Sequence, residues 1–159
     1  MAKTESADGA RVRFPPPAVF LLSLLLGFGL NRLVPLPPIP LESRSRIAVG
    51  VLVVILGIVP IAWARIHFLR TKQNPIPWTP TPELIFQGPY LYTRNPMYVG
   101  MTTLQIGLGM AFGVLWSVLL AAVSLAIVHQ MAVRPEEAYL SEKFGEPYRQ
   151  YLTRVRRYI

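Results

Sequence analysis

From Asn95 to Val133 the chain runs 39 residues without a formal charge. As one straight α-helix this stretch would extend roughly 58 Å, nearly twice the ~30 Å hydrocarbon core of a bilayer. The run must fold back on itself, and Phe112-Gly113 is the natural place for the break. A tight helical hairpin with no polar loop results. Gly100, Gly107, Gly109, Ala111 and Gly113 supply the small residues that let membrane helices approach closely.

Two further uncharged runs precede the hairpin: Phe14 to Asn31, entered through Pro15-Pro16-Pro17, and Ile47 to Ala64, which contains Pro60 and is expected to kink there. The basic-then-apolar order of the first run imitates a secretory signal. Asn31-Arg32-Leu33-Val34-Pro35 is a poor cleavage site, however, so the run reads as an uncleaved first span. The prolines at 37, 38 and 40 make a stiff connector between the two spans. With 15% charged residues and a mean hydropathy of +0.40, the chain lies well outside the soluble range. The predicted fold is an all-α integral membrane bundle. It has four transmembrane helices, the last two as a hairpin, and short cytoplasmic C-terminal helices. The whole chain, 1–159, forms one domain: a polar tail over 1–13, two anchoring spans over 14–70, and a loop, hairpin and C-terminal helices over 71–159.

Charge placement gives an orientation. The net charge of +8 is not gathered on a soluble face, which argues against nucleic acid. With both termini cytoplasmic, thirteen of the sixteen basic residues fall on that side, leaving Arg32, Arg44 and Arg46 opposite. Such a protein belongs in a bacterial inner (plasma) membrane. It also places Arg94 and Glu136 on one face of the membrane. There is no cysteine, so disulfides, thiolate metal sites and a cysteine nucleophile are excluded, and two histidines make a metal centre improbable. His129, inside the last span, is expected to hydrogen-bond a neighbouring helix.

Chemistry concentrates in two places. Thr71 to Gln87 carries Pro75, Pro77, Pro80 and Pro82 and has little room for regular structure, yet Ile76, Trp78, Leu84, Ile85 and Phe86 are too apolar for a solvated loop. It is followed by Gly88 to Gly100, which packs three tyrosines and Arg94 into thirteen residues. Beyond the hairpin, Arg134 to Phe144 reads as a short helix bounded by Pro135 and Gly145, and Glu146-Pro147 starts another. On the former, Val133, Glu136, Leu140 and Phe144 share one face, which puts a carboxylate on an otherwise apolar surface that is costly to bury without partners. Glu137 lines up with Arg134 and Ser141 as an exposed pair. Tyr148, Tyr151, Val155 and Tyr158 recur at helical spacing among arginines, as in an interfacial helix.

Gly88-Pro89-Tyr90, then Arg94-Asn95-Pro96-Met97-Tyr98-Val99-Gly100, then Glu136-Glu137, Leu140, Phe144-Gly145, Tyr148 and Tyr151, resemble the isoprenylcysteine carboxyl methyltransferases and the related membrane phospholipid methyltransferases. The resemblance implies S-adenosylmethionine as cofactor, bound on the cytoplasmic side, and a lipophilic acceptor entering from the bilayer, with no metal. By matching positions it implies cofactor contacts at Leu84, Ile85, Tyr90, Asn95, Pro96, Met97, Tyr98 and Glu136, with Gln73 matching a glutamine further upstream. Asn95 stands where the eukaryotic enzymes have histidine. The family's substrate arginine falls at Ala132 here, leaving Arg134 as its replacement. Arg94 or Arg134 would then hold an anionic acceptor or the cofactor's carboxylate. Two rival readings are a non-catalytic membrane scaffold or transport component, and a membrane lipid reductase using NADPH.

Overall fold

A computed structural model describes residues 9–12 and 14–159. Most of the expected polar tail, including Lys3 and Arg13, lies outside the described residues. Among those described there is no strand. Helix α1 spans Pro16–Leu33, α2 Ser43–Arg70, α3 Pro96–Phe112 and α4 Leu115–Val128. A π-helical turn, His129–Val133, leads into α5, Arg134–Phe144, and α6 covers Glu146–Arg154. The protein is an integral membrane helical bundle. Three helices are long and apolar enough to cross a membrane: α1, α2 and the continuous Leu115–Phe144. Helix α3, at 17 residues, runs roughly 26 Å, slightly short of a ~30 Å core.

The hairpin turns where expected. Gly113 caps α3 with φ 71°, a left-handed conformation that glycine adopts without steric cost. A side chain there would also collide with the Arg46 guanidinium.

Helices α2 and α3 lie antiparallel along a seam of small residues seven apart. Gly50, Gly57 and Ala64 on α2 are buried, and so are Gly100 and Gly107 on α3. A Cβ at Gly57 would stand 2.6 Å from the Leu104 amide nitrogen, and one at Gly107 would stand 2.6 Å from that of Val54. In lipid, such backbone proximity supplies the dispersion contacts that hydrophobic burial supplies in water. Helix α2 continues through Pro60, which the seam places beside Gly100.

Helices α1, α3 and α4 are joined by polar side chains at membrane depth. Gln105, 1% exposed, donates from Nε2 to Ser23 Oγ at 3.0 Å and to the Ser117 carbonyl at 3.2 Å. Its Oε1 accepts from Ser124 Oγ at 3.2 Å. Ser117 donates to the Leu24 carbonyl, and Ser23 to that of Leu120. Every polar group of this knot has a partner, which a low-dielectric interior requires.

The expectation of a separate helix beginning at Arg134 is corrected. Leu115 to Phe144 is one continuous helix, although Pro135 lacks an N–H and its ring would meet the carbonyl four residues back. The π turn absorbs this. The Arg134 amide bonds the His129 carbonyl five residues earlier, widening the coil just ahead of the proline. The interfacial helix also ends sooner than its aromatic spacing suggested, because Val155 is already extended.

Candidate active site

The N-terminus of α3, the C-terminus of α2 and the start of α5 meet at one end of the bundle, around a cavity of about 500 Å³. The proline-rich loop does not float in solvent. Ile76, Trp78, Leu84, Ile85 and Phe86 all face this cavity. Its fold is set locally: Asn74 Oδ1 accepts from the Ile76 amide, and Thr79 Oγ1 donates to the Ile76 carbonyl at 2.6 Å. Across the site, the Thr81 amide reaches Tyr139 Oη at 3.4 Å.

The eight residues expected to contact a cofactor, Leu84, Ile85, Tyr90, Asn95, Pro96, Met97, Tyr98 and Glu136, all line this cavity, together with Arg94 and Gln73. At its centre Tyr98 Oη donates to Glu136 Oε1 at 2.5 Å, joining the first turns of α3 and α5 across 38 residues. Glu136 is half-buried because its carboxylate borders the cavity rather than solvent. Tyr98 is its one hydrogen-bond partner among the described residues, so a carboxylate with room for about four such bonds keeps most of its accepting capacity open.

Two buried donors on residues of the cavity wall have no partner among the described residues: Gln73 Nε2, on a residue 8% exposed, and Arg94 Nε. The rest of Arg94 is held in place, since its Nη1 pairs with Glu137 Oε1 at 3.1 Å. Glu137 is therefore not the exposed partner of Arg134 that its spacing indicated. Its side chain is 15% exposed and also takes a two-pronged contact from Arg157, Nε to Oε1 at 3.0 Å and Nη2 to Oε2 at 2.8 Å. This pairing raises the affinity of the Arg157 guanidinium for its proton still further.

The C-terminal segment is tied to the loop by its backbone. The Arg94 amide donates to the Arg156 carbonyl at 3.0 Å. Asn95 Nδ2 and Thr93 Oγ1 donate to the Arg157 carbonyl at 3.0 and 3.1 Å. Asn95 therefore has one of its two Nδ2 hydrogens engaged by the Arg157 carbonyl while the residue lines the cavity. His129 finds Tyr158 Oη at 2.8 Å, in this same segment rather than on a neighbouring helix. Arg134 is exposed, holds Gln130 Oε1 at 2.9 Å and takes no part in the cavity wall; the α4–α5 continuity turns it outward.

The aromatic wall packs on itself. Phe86 and Tyr151 lie 4.8 Å apart by ring centres, Phe68 meets Tyr90 edge-on at 6.2 Å, and Tyr151 Oη donates to the Tyr90 carbonyl at 2.7 Å. Burial, and then the Glu136 charge, push the Tyr90 hydroxyl well above its usual range. Burial does the same for Tyr148, and Tyr151 is pushed up to about 12 by burial against the opposing pull of Arg94. These tyrosines stay neutral at any working pH and present ring faces and hydroxyls, not phenolates. Tyr148 and Tyr151 were visible in the sequence both as an interfacial stripe and in the family motif, Arg157 only as one of the stripe's arginines; no periodicity signals that Arg157 turns back onto Glu137. Among the described residues no three His, Asp or Glu side chains gather as a metal site would need.

Residues 45–147 match the model of a family described as phospholipid methyltransferase. The chain is 38% identical over 89 residues to the protein-S-isoprenylcysteine O-methyltransferase of Schizosaccharomyces pombe, an alignment covering 56% of this chain and 36% of that one. It is 27% identical over 104 residues to the nickel-cobalt-cadmium resistance protein NccN of Alcaligenes xylosoxydans xylosoxydans, covering 65% of this chain and 45% of that one. The matches thus span less than half the length of either relative. No solved structure matches significantly.

Proposed function

Because the chain belongs to the phospholipid methyltransferase family, we propose that it transfers a methyl group from S-adenosylmethionine to a lipophilic acceptor at this cavity. In this reading α3 completes a fourth crossing, and the cavity opens at the cytoplasmic face of a bacterial inner membrane, the side that holds most of the basic residues.

The observation that carries the proposal is the Glu136–Tyr98 pair. A carboxylate bordering a half-open, largely apolar cavity keeps most of its accepting capacity free, and Gln73 and Arg94 on the same wall each hold a donor without a partner among the described residues. S-adenosylmethionine brings what these groups lack. Its ammonium and ribose hydroxyls suit Glu136, its carboxylate suits the Arg94 and Gln73 side chains of the cavity wall, and a sulfonium beside Tyr90 or Tyr148 gains roughly 1–2 kcal/mol once desolvated. When bound, the cofactor supplies an electrophilic methyl, so no protein nucleophile is required.

The remaining work belongs to the chain. Tyr98 fixes the rotamer of Glu136. Glu137 and Arg157 hold Arg94 at the cavity's edge. The Asn95 amide and the Thr93 hydroxyl clamp the C-terminal segment over the loop. The aromatic wall excludes water. Aligning donor and acceptor in this way can lower a barrier by several kcal/mol. An acceptor already nucleophilic, such as a carboxylate, thiolate or amine, fits a site whose tyrosines stay neutral. The name of the fission-yeast relative favours the carboxylate of a prenylated cysteine among these.

Calorimetry with S-adenosylhomocysteine on the detergent-solubilised chain tests the proposal. Binding in the wild type that is lost in Glu136→Ala and weakened in Tyr98→Ala is expected. No binding by the wild type, or undiminished binding by both variants, rules the assignment out.

A further inference from the structure

The family match begins at residue 45, yet part of the cavity wall comes from further upstream. Ala10 and the turn Pro15-Pro16-Pro17 face the same space as Glu136 and Trp78. The segment Gly9–Val12 lies along the proline-rich loop as a strap. The Ala10 amide donates to the Pro77 carbonyl at 3.1 Å, and Ala10 and Val12 are 3% and 6% exposed, in one apolar cluster with Phe20, Tyr98 and Val133. The strap approaches so closely that a Cβ on Gly9 would collide with the Trp78 carbonyl. Only glycine permits this contact.

The chemistry of this wall differs from the rest. Prolines have no N–H, and the Pro15 carbonyl already accepts from the Ala18 amide at 2.9 Å. Ala10 has no polar side chain, and its amide is used by Pro77. Among the described residues the upstream wall therefore offers no free donor, and the Ala10 and Pro15 carbonyls already accept from Val12 and Ala18. It offers apolar surface alone, which suits the acceptor and not the cofactor.

We infer that the strap Gly9–Val12 and the turn Pro15–Pro17 form the acceptor-facing wall of the cavity and limit how long an apolar chain the site accepts, an inference that rests on the methyltransferase reading. The strap is held to the loop by one backbone hydrogen bond and to the bundle by small apolar side chains, so displacing it leaves the Tyr98–Glu136 and Arg94–Glu137 contacts in place.

Two variants displace it by different means: Gly9→Val by bulk against Trp78, and Ala10→Pro by removing the N–H that reaches Pro77. Retained S-adenosylhomocysteine binding, within about threefold of wild type, shows that each is folded. The chain has no cysteine, so Met101→Cys, whose position lines the cavity beside the strap's cluster, reports access directly. Labelling of Met101→Cys by pyrene maleimide is expected to quicken about tenfold when either strap variant is added, with little change for N-ethylmaleimide. Equal pyrene maleimide rates overturn the strap as a wall.

Methyl transfer is then measured to N-acetylcysteine thioethers carrying dimethylallyl, geranyl, farnesyl or geranylgeranyl chains. The ratio of kcat/KM for the longest over the shortest should rise about tenfold in the strap variants. An unchanged ratio overturns the limit on chain length. Transfer to none of the four thioethers, in any variant, overturns the prenylcysteine acceptor while the labelling result still decides the wall. Loss of S-adenosylhomocysteine binding by the wild type overturns the methyltransferase reading itself.

Discussion

Two interior polar groups of this bundle, Gln105 buried and Glu136 half-buried, meet opposite fates. Gln105, among α1, α3 and α4, has its oxygen and its nitrogen engaged by Ser124, Ser23 and the Ser117 carbonyl. Glu136, at the cavity end, is a charged group in a still more demanding position, yet Tyr98 is its single hydrogen-bond partner among the described residues. Burial costs a charge more than an amide. If stability alone had shaped both, the carboxylate would be the better satisfied. The difference separates a polar group that ties helices together from one left open for something else. It also predicts that the two respond differently when removed.

The largest effect is expected at Glu136. Glu136→Ala should weaken S-adenosylhomocysteine binding at least about a hundredfold, close to 3 kcal/mol, as read by calorimetry. Thermal stability should stay level or rise, because an incompletely paired carboxylate leaves a half-buried position. A large fall in Tm with affinity intact would make Glu136 a structural residue like Gln105.

Gln105→Ala should show the reverse. Hydrogen bonds between membrane helices contribute about 0.6 kcal/mol each, and the vacated volume adds a cavity term, so a loss of about 2 kcal/mol is expected in a denaturation midpoint. Cofactor affinity of the folded fraction should stay within about threefold of wild type. A tenfold loss there would show that the knot and the cavity are coupled.

Arg157→Ala sharpens the comparison from a third position. The two guanidiniums on Glu137 are unequally placed: the Arg94 side chain is 11% exposed and that of Arg157 40%. Removing the outer one leaves the inner pair standing in a wetter setting, where such pairs contribute ~1 kcal/mol or less. The expected outcome is a three- to tenfold weaker affinity for S-adenosylhomocysteine, because Arg94 is less firmly held, with a small fall in Tm. Unchanged affinity would mean that the C-terminal clamp does not position Arg94.

How much of this was legible in the sequence follows from the physics of each element. The hairpin break was legible because a bilayer has a fixed thickness and a 39-residue uncharged run does not fit it. Glu136 stood out because a carboxylate interrupted an apolar helical face. The Gln105 knot was not legible: Ser23, Ser117 and Ser124 lie on two other helices, and a serine in a membrane helix carries no mark of its partner. The Arg157–Glu137 contact was hidden for the same reason, since it joins residues 20 apart through a chain reversal at Gly145. Arg134 was chosen for lying two residues after the position of the family's substrate arginine, and sequence distance does not show that its side chain turns to Gln130 rather than to the cavity. The π turn that carries the helix through a proline leaves no pattern in the local sequence.

Asn95 is where the comparison is least obvious and the expected effect smallest. Its position in the wall, 7% exposed beside Tyr98, puts it among the site residues. Its bonding puts it with Gln105, because Nδ2 reaches the Arg157 carbonyl at 3.0 Å and its backbone amide takes Thr93 Oγ1 at 3.2 Å. The Arg157 carbonyl engages one Nδ2 hydrogen, which leaves the second and Oδ1 as the atoms that remain for a cofactor. Asn95→Ala should therefore cost about 1 kcal/mol of stability, one net hydrogen bond, and lower Tm by a few degrees. Affinity for S-adenosylhomocysteine should fall no more than about threefold, less than in Arg157→Ala, which removes the charge as well. A tenfold fall in affinity at constant Tm would move Asn95 to the side of Glu136, and would mean that its Oδ1 or its second Nδ2 hydrogen is the atom that matters.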